Sequence, residues 1–316
     1  MIDGLKQQAS ELGLAALGVA PAIEEVREHY PWANSVICAA ISYLPPERKV
    51  DDGVPRGLVA RFARGADYHI VLREKLSRLA ETISLEHPGA RLEVCVDTAP
   101  LPERKLAVLG GIAWRGWNGN VFVDGCGSYA ALGEIATDLA LPPAEPLSID
   151  RCIDCGRCIR NCPGRAITAP YTVDAEKCLS ALTQAPGTIP TEMRSKLGAR
   201  IYGCDVCQEV CPQNSGAKPT TPEFAEERFP GAHPELIPLI ELSSEDFRAR
   251  VQNSSIGWIR RTRIRRNAAI AAGNLKCEAA VPALRAMLEE DDLVLREHAR
   301  WALETIGADP IARKDT

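Results

Sequence analysis

The chain lacks the sequence features that direct a protein into or across a membrane. None of its 316 residues lies in an apolar stretch long enough to span a bilayer. Residues 1–18 are amphipathic rather than a basic start followed by an apolar run, and no twin-arginine leader is present. We therefore expect a cytoplasmic protein with no membrane partner.

The chain also lacks a strong net charge and a secretory context. Its formal charge of -5 gives no global field that would attract nucleic acid, so any such attraction must come from local charge. Without a secretory context, its 12 cysteines are not expected to form disulfides. The length is that of two or three globular domains.

Eight of the 12 cysteines fall in one stretch with the spacing of a bacterial ferredoxin. The first four read C-x2-C-x2-C-x3-C-P, in which three thiolates wrap one iron–sulfur cube and the fourth binds the other. Because a later run also ends in Cys-Pro, the ligands are predicted to cross between two [4Fe-4S] clusters. The predicted ligands of one cluster are Cys152, Cys155, Cys158 and Cys211. The predicted ligands of the other are Cys162, Cys178, Cys204 and Cys207.

Two structural zinc sites are the alternative interpretation of these cysteines, since C-x2-C also binds zinc. Zinc would not explain why both runs end in Cys-Pro. The pattern therefore predicts electron transfer, with Ile167 as apolar cover for a cluster. The remaining cysteines are interpreted as small buried hydrophobic residues; they are Cys38, Cys95, Cys126 and Cys277.

Hydrophobic periodicity predicts alternating helices and strands before residue 145, which indicates an α/β or α+β domain. The predicted strands are residues 15–19, 35–41, 92–96 and 120–123. The predicted helices are a segment ending near Gly13 and residues 69–84 and 103–109, whereas residues 131–140 fit either type. Pro142, Pro143 and Pro146 mark the end of this domain.

The C-terminal segment has a helical pattern that recurs. Residues 267–272 resemble residues 298–303, and a further helix at residues 279–288 lies between them. This pattern is typical of a HEAT-like helical pair that packs on the cluster domain, and a plain helical tail is the alternative. The predicted α+β architecture thus has an α/β domain over residues 1–145, a ferredoxin-like two-cluster domain over 146–220 and helical repeats over 221–316.

Four stretches are more specific than a generic ferredoxin requires. They are RFARGADYH at residues 61–69, VDTAP at 96–100, GSY with LGE within 127–134, and YGCDVCQEVCP at 202–212. Together they resemble the epoxyqueuosine reductase family, and the resemblance covers nearly the whole chain. It implies a cobalamin-dependent oxidoreductase that converts the epoxide of epoxyqueuosine, at the wobble position of tRNA, into the alkene of queuosine.

The resemblance also implies cofactors, partners and site residues. It implies base-off cobalamin in the N-terminal domain with two [4Fe-4S] clusters, and the chain has no D-x-H-x-x-G motif for a histidine ligand. The implied partners are a tRNA anticodon stem-loop and an external electron donor such as flavodoxin or ferredoxin. The implied cobalamin-binding residues are Arg61, Asp97, Val121, Leu132, Ser180 and Asp205. For Arg61 the alternative is a plain ion pair.

Asp97 matches the family's proton donor to the departing epoxide oxygen. A carboxylic acid in that role needs a raised pKa, which we expect from burial against corrin and apolar neighbours. The alternative is a capping role, since Asp-Thr-Ala-Pro suits the start of a helix.

Seven arginines and no acidic residue lie between Arg248 and Arg266. Helix-borne arginines contact phosphates and stack on bases, so this segment predicts an RNA contact. The predicted RNA-binding residues are Arg260, Arg261, Arg263, Arg265 and Arg266. The alternatives are a solvated helix face or pairing with the acidic residues 289–292.

The chain departs from the family in two places. It is shorter before residues 35–41, and Ala113, Trp117 and Gly119 stand where the family tends to have Gly, Lys and Thr or Ser. Trp117 is interpreted as stacking on a base or corrin, or as ordinary packing. These departures leave two other functions open: a corrinoid iron–sulfur reductase acting on another substrate, such as an organohalide, and a two-cluster electron carrier.

Overall fold

Helices and strands alternate in the N-terminal part of the chain, and helices dominate its C-terminal part. The computed structural model describes residues 2–46, 50, 52–147, 151–219, 221–225 and 228–310. The strands are β1 (Ala16–Pro21), β2 (Ser35–Ser42), β3 (Leu58–Val59), β4 (Leu92–Cys95), β5 (Trp114–Arg115), β6 (Val121–Phe122), β7 (Ala130–Thr137), β8 (Ile167–Ala169), β9 (Thr172–Val173) and β10 (Arg200–Tyr202).

The helices fall into an N-terminal, a cysteine-rich and a C-terminal group. They are α1 (Ile2–Glu11), α2 (Glu24–Arg27), α3 (Tyr68–Glu86), α4 (Glu103–Leu109), α5 (Arg157–Asn161), α6 (Leu179–Gln184), α7 (Thr191–Leu197), α8 (Val206–Glu209), α9 (Leu236–Ile240), α10 (Ser244–Asp246), α11 (Arg260–Asn274), α12 (Val281–Leu288) and α13 (Leu293–Ile306). Across the described ranges, none of the helices is both long and apolar enough to cross a membrane.

A four-stranded sheet in the order β1-β2-β7-β4 organises the N-terminal part. All its neighbouring strands are antiparallel. Strand β2 is buried along its whole length, with Ile37 and Ile41 packing towards α1 and α3 and Cys38 towards α4. Helices therefore cover both faces of the sheet. Of the two classes that the sequence left open for the N-terminal domain, the antiparallel pairing selects α+β and not α/β, because alternating elements do not fix strand direction.

The predicted elements agree well with the observed ones where the sequence has a clear period. The predicted helix at residues 103–109 coincides with α4, and the helix predicted at residues 69–84 lies within α3. Of the ambiguous residues 131–140, those up to Thr137 belong to strand β7 and none is helical. This strand is covered on both faces, which gives a nearly continuous apolar run in place of simple alternation.

The N-terminal and cysteine-rich parts share secondary structure. Strand β3 pairs in parallel with β10, so residues 58–59 and 200–202 form one ribbon across the predicted domain boundary at residue 145. Val59 and Tyr202 belong to the same apolar core as helices α9, α11, α12 and α13. The loop and strand that carry the cysteines are thereby fixed to both neighbouring parts of the chain.

Helix α11 lies between the other C-terminal helices and the cysteine-rich part. One side of it packs in the core of α9, α12 and α13, and Ile270 reaches the cluster of apolar residues formed by α6 and α7. The predicted packing of the C-terminal helices on the cluster domain is therefore confirmed. Their classification as a HEAT-like repeat stays a prediction.

Candidate functional site

The structure gathers the eight closely spaced cysteines into two sets. The first cysteine set lines a small cavity and comprises Cys152, Cys155, Cys158 and Cys211. The second cysteine set lines a large cavity and comprises Cys162, Cys178, Cys204 and Cys207. These are the sets that the crossed pattern predicts, although ligation itself remains a prediction. Within the described ranges, no group of three His, Cys, Asp or Glu side chains is arranged to hold a single metal ion.

Two glycines allow the chain to bring the second cysteine set together. A Cβ atom on Gly164 would collide with the Lys177 carbonyl oxygen, so only glycine lets the loop after Cys162 pass beside Cys178. Gly203 has φ of 71° and donates its N–H to the Thr183 hydroxyl at 2.9 Å. The Tyr-Gly-Cys motif is thus the turn that carries the chain from β10 to the second set.

The large cavity has a volume of about 410 Å³ and lies between the N-terminal sheet and the second cysteine set. Of the predicted cofactor-binding residues, five line it, namely Asp97, Val121, Leu132, Ser180 and Asp205. Amide and hydroxyl side chains add polar groups to its wall; they are Asn118, Asn120, Ser128 and Gln208. Elements from both predicted domains therefore build one site.

Arg61 is not one of the described residues that line the large cavity, but it pairs with Asp205, which is. Its backbone N–H donates to the Asp205 carboxylate at 2.8 Å, and its guanidinium donates to Glu209 at 2.5 Å. The same guanidinium lies 5.4 Å from the centre of the Tyr129 ring. The structure thus favours the ion-pair alternative for Arg61, whose hydrogen bonds hold Asp205 in place.

Asp97 follows β4 with φ of 52° and meets the N-terminus of α3. Its Oδ2 atom accepts a hydrogen bond from the Tyr68 hydroxyl at 2.7 Å and lies 2.9 Å from His69 Nε2. The other ring nitrogen of His69 lies 2.7 Å from Asp67, which also caps α3. The two aromatic rings stack at 4.0 Å, so Asp97 is held by a rigid pair of donors.

The protein groups around Asp97 do not by themselves supply the expected rise in its pKa. The hydrogen bond from His69 is the main reason that the pKa of Asp97 lies below its ordinary value, and it outweighs burial. Burial alone would lower the pKa of His69, but hydrogen bonds to Asp67 and Asp97 raise it to about 9. These two shifts favour an Asp97 carboxylate beside a protonated His69, and 53% of the Asp97 side chain is exposed.

Two glutamates that the sequence analysis missed lie beside Asp97. Glu103 lines the large cavity and accepts a hydrogen bond from the Asp97 backbone N–H at 2.5 Å. Burial raises the pKa of Glu103 to about 7. Glu134 on β7 is fully buried, and neither of its carboxyl oxygens has a hydrogen-bond partner among the described residues. The sequence signal that could have indicated Glu134 was an acidic residue within an otherwise apolar strand.

The RNA-binding prediction is wrong for Arg265 and Arg266, because both side chains are buried. Arg265 donates to the Ile240 carbonyl at 2.6 Å and pairs with Glu290, as the acidic-run alternative expected. Arg261 is half-buried and donates to the Leu242 carbonyl at 3.0 Å. Arg263 is half-buried and Arg260 is exposed, so these two stay available to a partner.

Trp258, which the sequence analysis did not single out, connects the basic segment to the large cavity. Its side chain is 58% exposed, yet its indole N–H donates to the Tyr202 hydroxyl at 2.8 Å. The Tyr202 ring in turn lies 5.4 Å from the ring of Phe62, which lines the cavity. Trp258 is thus an exposed aromatic residue two positions before Arg260 in the chain. The rings of Tyr202 and Phe62 lie between it and the large cavity.

Trp117 lines the small cavity with the first cysteine set and is not among the described residues of the large one. Its predicted stacking on corrin or a base is therefore not supported by its position. Trp114 stacks on Phe122 with ring centres 4.4 Å apart, which is ordinary packing. Cys38 and Cys95 are buried on strands β2 and β4, as expected for small apolar residues.

Sequence comparison matches the chain to one enzyme family and to one iron–sulfur domain. The family described as "Epoxyqueuosine reductase QueG, DUF1730" matches residues 24–98, and the "4Fe-4S double cluster binding domain" matches residues 151–214. The epoxyqueuosine reductase of Bacillus cereus is 36% identical over 89% of this chain and 75% of its own length. That of Escherichia coli is 37% identical over 87% of this chain and 74% of its own length.

Solved structures agree with the sequence comparison. An epoxyqueuosine reductase bound to an epoxyqueuosine-modified stem loop of tRNA-Tyr has a TM-score of 0.89 and 30% identity, covering 97% of this chain and 90% of that one. The Bacillus subtilis enzyme, whose aspartate catalytic loop is described as swung out of the active site, has a TM-score of 0.89 and 29% identity. It covers 96% of this chain and 90% of that one.

Proposed function

The chain belongs to the epoxyqueuosine reductase family of oxidoreductases, and from this premise we propose that it reduces epoxyqueuosine to queuosine at the wobble position of tRNA. One observation carries the proposal: the large cavity is lined both by Asp97 and by the second cysteine set. A substrate bound there would meet an acid–base group and the end of an electron path at once.

The two cysteine sets supply the proposed electron path. In the crossed arrangement, one [4Fe-4S] cluster would bind the first set and the other would bind the second set. Ile153, within the first set, is 60% exposed and gives an external donor such as flavodoxin or ferredoxin an apolar point of contact. Electrons would enter at the first set and leave at the second, which borders the large cavity.

The residues of the large cavity fit cobalamin. Apolar side chains and amide or hydroxyl groups share its wall, which suits a large ring that carries peripheral amides. Val121 and Leu132 would contact the ring through apolar side chains, and Ser180 and Asn120 would pair with its peripheral amides. When bound, cobalamin would supply a strongly reducing cobalt centre for the cleavage of the epoxide.

The tRNA contact is proposed for the exposed part of the basic segment. Arg260 and Arg263 would contact phosphates, and Trp258 would stack on a base that has left the anticodon loop. The wobble base must leave its stack to reach the large cavity, as in other enzymes that modify bases. Phe62, which lines the cavity, would give the base an aromatic contact there.

The test is anaerobic purification, reconstitution with iron, sulfide and cobalamin, and single turnover on an anticodon stem-loop that contains epoxyqueuosine. We expect about eight iron atoms per chain, retained cobalt and formation of queuosine measured by mass spectrometry. Asp97→Asn should retain both metals and lose turnover, whereas Asp3→Asn, an exposed aspartate on α1, should change neither.

Three outcomes would contradict the proposal. Full turnover by Asp97→Asn would remove Asp97 from the reaction. Iron without retained cobalt would favour the two-cluster electron carrier. Cobalt retention with no conversion of the stem-loop would favour another substrate.

A further inference from the structure

A cationic side chain contacts a sulfur atom of the second cysteine set. Arg200 lies on β10, four residues before Cys204, and its Nε atom donates to Cys204 Sγ at 3.2 Å. Its Nη1 atom donates to the Leu197 carbonyl oxygen, at the end of α7, at 3.0 Å. Because two hydrogen bonds hold the guanidinium, its charge has a fixed position beside the sulfur.

The two cysteine sets differ in the donors that reach their sulfur atoms. In the second set, the Ala166 backbone N–H also donates to Cys162 Sγ at 3.2 Å. Across the part of the chain that the structure describes, the side-chain donors to these sulfur atoms all belong to the second set, and Arg200 is the charged one among them. The sets are therefore unequal in their surroundings although each contains four cysteines.

The two sets also differ in their contact with solvent. Cys204 packs against the apolar residues of α6 and α7, whereas Ile153, within the first set, is 60% exposed. One-electron reduction adds a negative charge to a cluster, and a buried position makes that charge unfavourable. Hydrogen bonds to the sulfur atoms and a nearby cation act in the opposite direction, because they stabilise the reduced form. Arg200 thus offsets the cost that burial imposes on the second set.

We propose that Arg200 raises the reduction potential of a [4Fe-4S] cluster bound by the second cysteine set, so that an electron entering at the first set moves on to the second. Each transfer oxidises the first cluster by one electron and reduces the second by one, with no bond made or broken. Two transfers supply the two electrons of the proposed reaction. This inference rests on the cluster ligation in the proposed function and not on the identity of the substrate.

The test is a redox titration of the anaerobic, reconstituted protein, followed by the EPR signals of the reduced clusters. Arg200→Met removes both the charge and the donor. We expect a shift of about tenfold in the equilibrium of one cluster towards its oxidised form, which lowers its midpoint potential by about 59 mV for one electron. Arg200→Lys, which keeps the charge but not the planar donor, should shift the potential less.

Lys177→Met is the matched control. Lys177 precedes Cys178 of the same set, but its ammonium is exposed and pairs with Asp174 at 2.9 Å instead of contacting a sulfur atom. Its removal should leave both potentials unchanged, because an exposed and paired charge is largely screened. A shift in Lys177→Met as large as that in Arg200→Met would overturn the specific role of Arg200.

Cys207→Ser identifies the cluster that responds. This variant should keep the cluster of the first set, so its remaining signal gives that potential. In the double variant with Arg200→Met, the remaining potential should stay where it is in Cys207→Ser alone. A shift there would mean that Arg200 acts on the whole protein and not on the second set.

Unchanged potentials in an Arg200→Met protein with its full iron content would overturn the proposal. If Arg200→Met does not retain iron, Arg200→Gln decides, since it removes the charge but keeps an N–H donor, and it should also lower one potential. A wild type that binds no iron would instead refute the cluster assignment, and one that leaves the stem-loop unchanged would refute the proposed substrate. The potentials are measured without substrate, so these failures are distinguishable.

Discussion

The buried guanidinium of Arg266 gives a sharp prediction, because it separates a structural role from an RNA-binding role. Its Nη1 atom donates to the carbonyl oxygens of Ala185 and Gly187 at 2.8 and 2.6 Å, and Nη2 donates to that of Leu182 at 3.1 Å. The side chain is fully buried, and burial lowers its pKa to about 10. These hydrogen bonds from Arg266 thus stabilise the packing of α11 against the end of α6 and the loop that follows it.

Arg266→Leu would leave those three carbonyl groups without this donor. Each buried polar group that loses its partner costs about 1–3 kcal/mol, so three of them give a loss of at least about 3 kcal/mol. Removing the buried guanidinium also removes the cost of its desolvation, which offsets part of the lost stability. We therefore expect a loss at the lower end of this range, about 3 kcal/mol. Such a loss is a large part of the roughly 5–15 kcal/mol that stabilises an ordinary domain.

The assay is the thermal midpoint of the anaerobic, cluster-loaded protein, followed by circular dichroism, with iron content as a second measure. Arg260→Leu, at the exposed start of the same helix, is the matched control and should unfold like the wild type. In stem-loop binding we expect the reverse: Arg260→Leu should bind more weakly than the wild type, and Arg266→Leu should bind like it. An Arg266→Leu protein that is as stable as the wild type but binds RNA poorly would refute the burial argument.

Three further predictions follow from the site. Replacing Arg260 and Arg263 by Ala should weaken stem-loop binding and lower the slope of log affinity against log salt, by about 0.7 for each lost contact with a single strand; an unchanged slope would contradict the phosphate contacts. The folded-state pKa of His69 is raised from 6.5 to about 9, so its contribution to stability is complete below 6.5 and is lost as pH rises through 9. The thermal midpoint of the wild type should accordingly exceed that of His69→Gln at low pH and approach it in alkali. Cys207→Ser should lose about half of the iron, with the remainder on the first cysteine set, and complete retention of iron would contradict the crossed assignment.

The predictions that agreed with the structure are those that depend on neighbours in the sequence. Helix α4 was predicted with its observed ends because its apolar residues repeat at helical spacing. The two cysteine sets agree with the predicted grouping, because a short run of thiolates can reach only one cluster and the Cys-Pro ending turns away. In both cases the spacing along the chain fixes the geometry.

The predictions that failed depend on which other parts of the fold pack against a helix. Residues 264–273 of α11 are buried on every side, so Arg265 and Arg266 are not on a solvated face although their spacing resembles one. A helix between two layers must satisfy its charges internally, and Arg265 does so with Glu290. The sequence alone does not tell which helix of a group occupies that central position.

The same reasoning explains why the acid of the site was misjudged. The pKa of Asp97 depends on His69, which is 28 residues away along the chain and enters the site from a different element. The motif stretches at residues 61–69, 96–100 and 127–134 contribute Tyr68 and His69, then Asp97, then Glu134. Strands β4 and β7 and the N-terminus of α3 bring these stretches together. The pKa of Asp97 depends first on His69, whereas that of Glu134 depends on burial, Glu103 and Asp97. The direction of the Asp97 pKa shift therefore follows from the stretch that packs on Asp97, which carries His69, rather than from the motif that contains it.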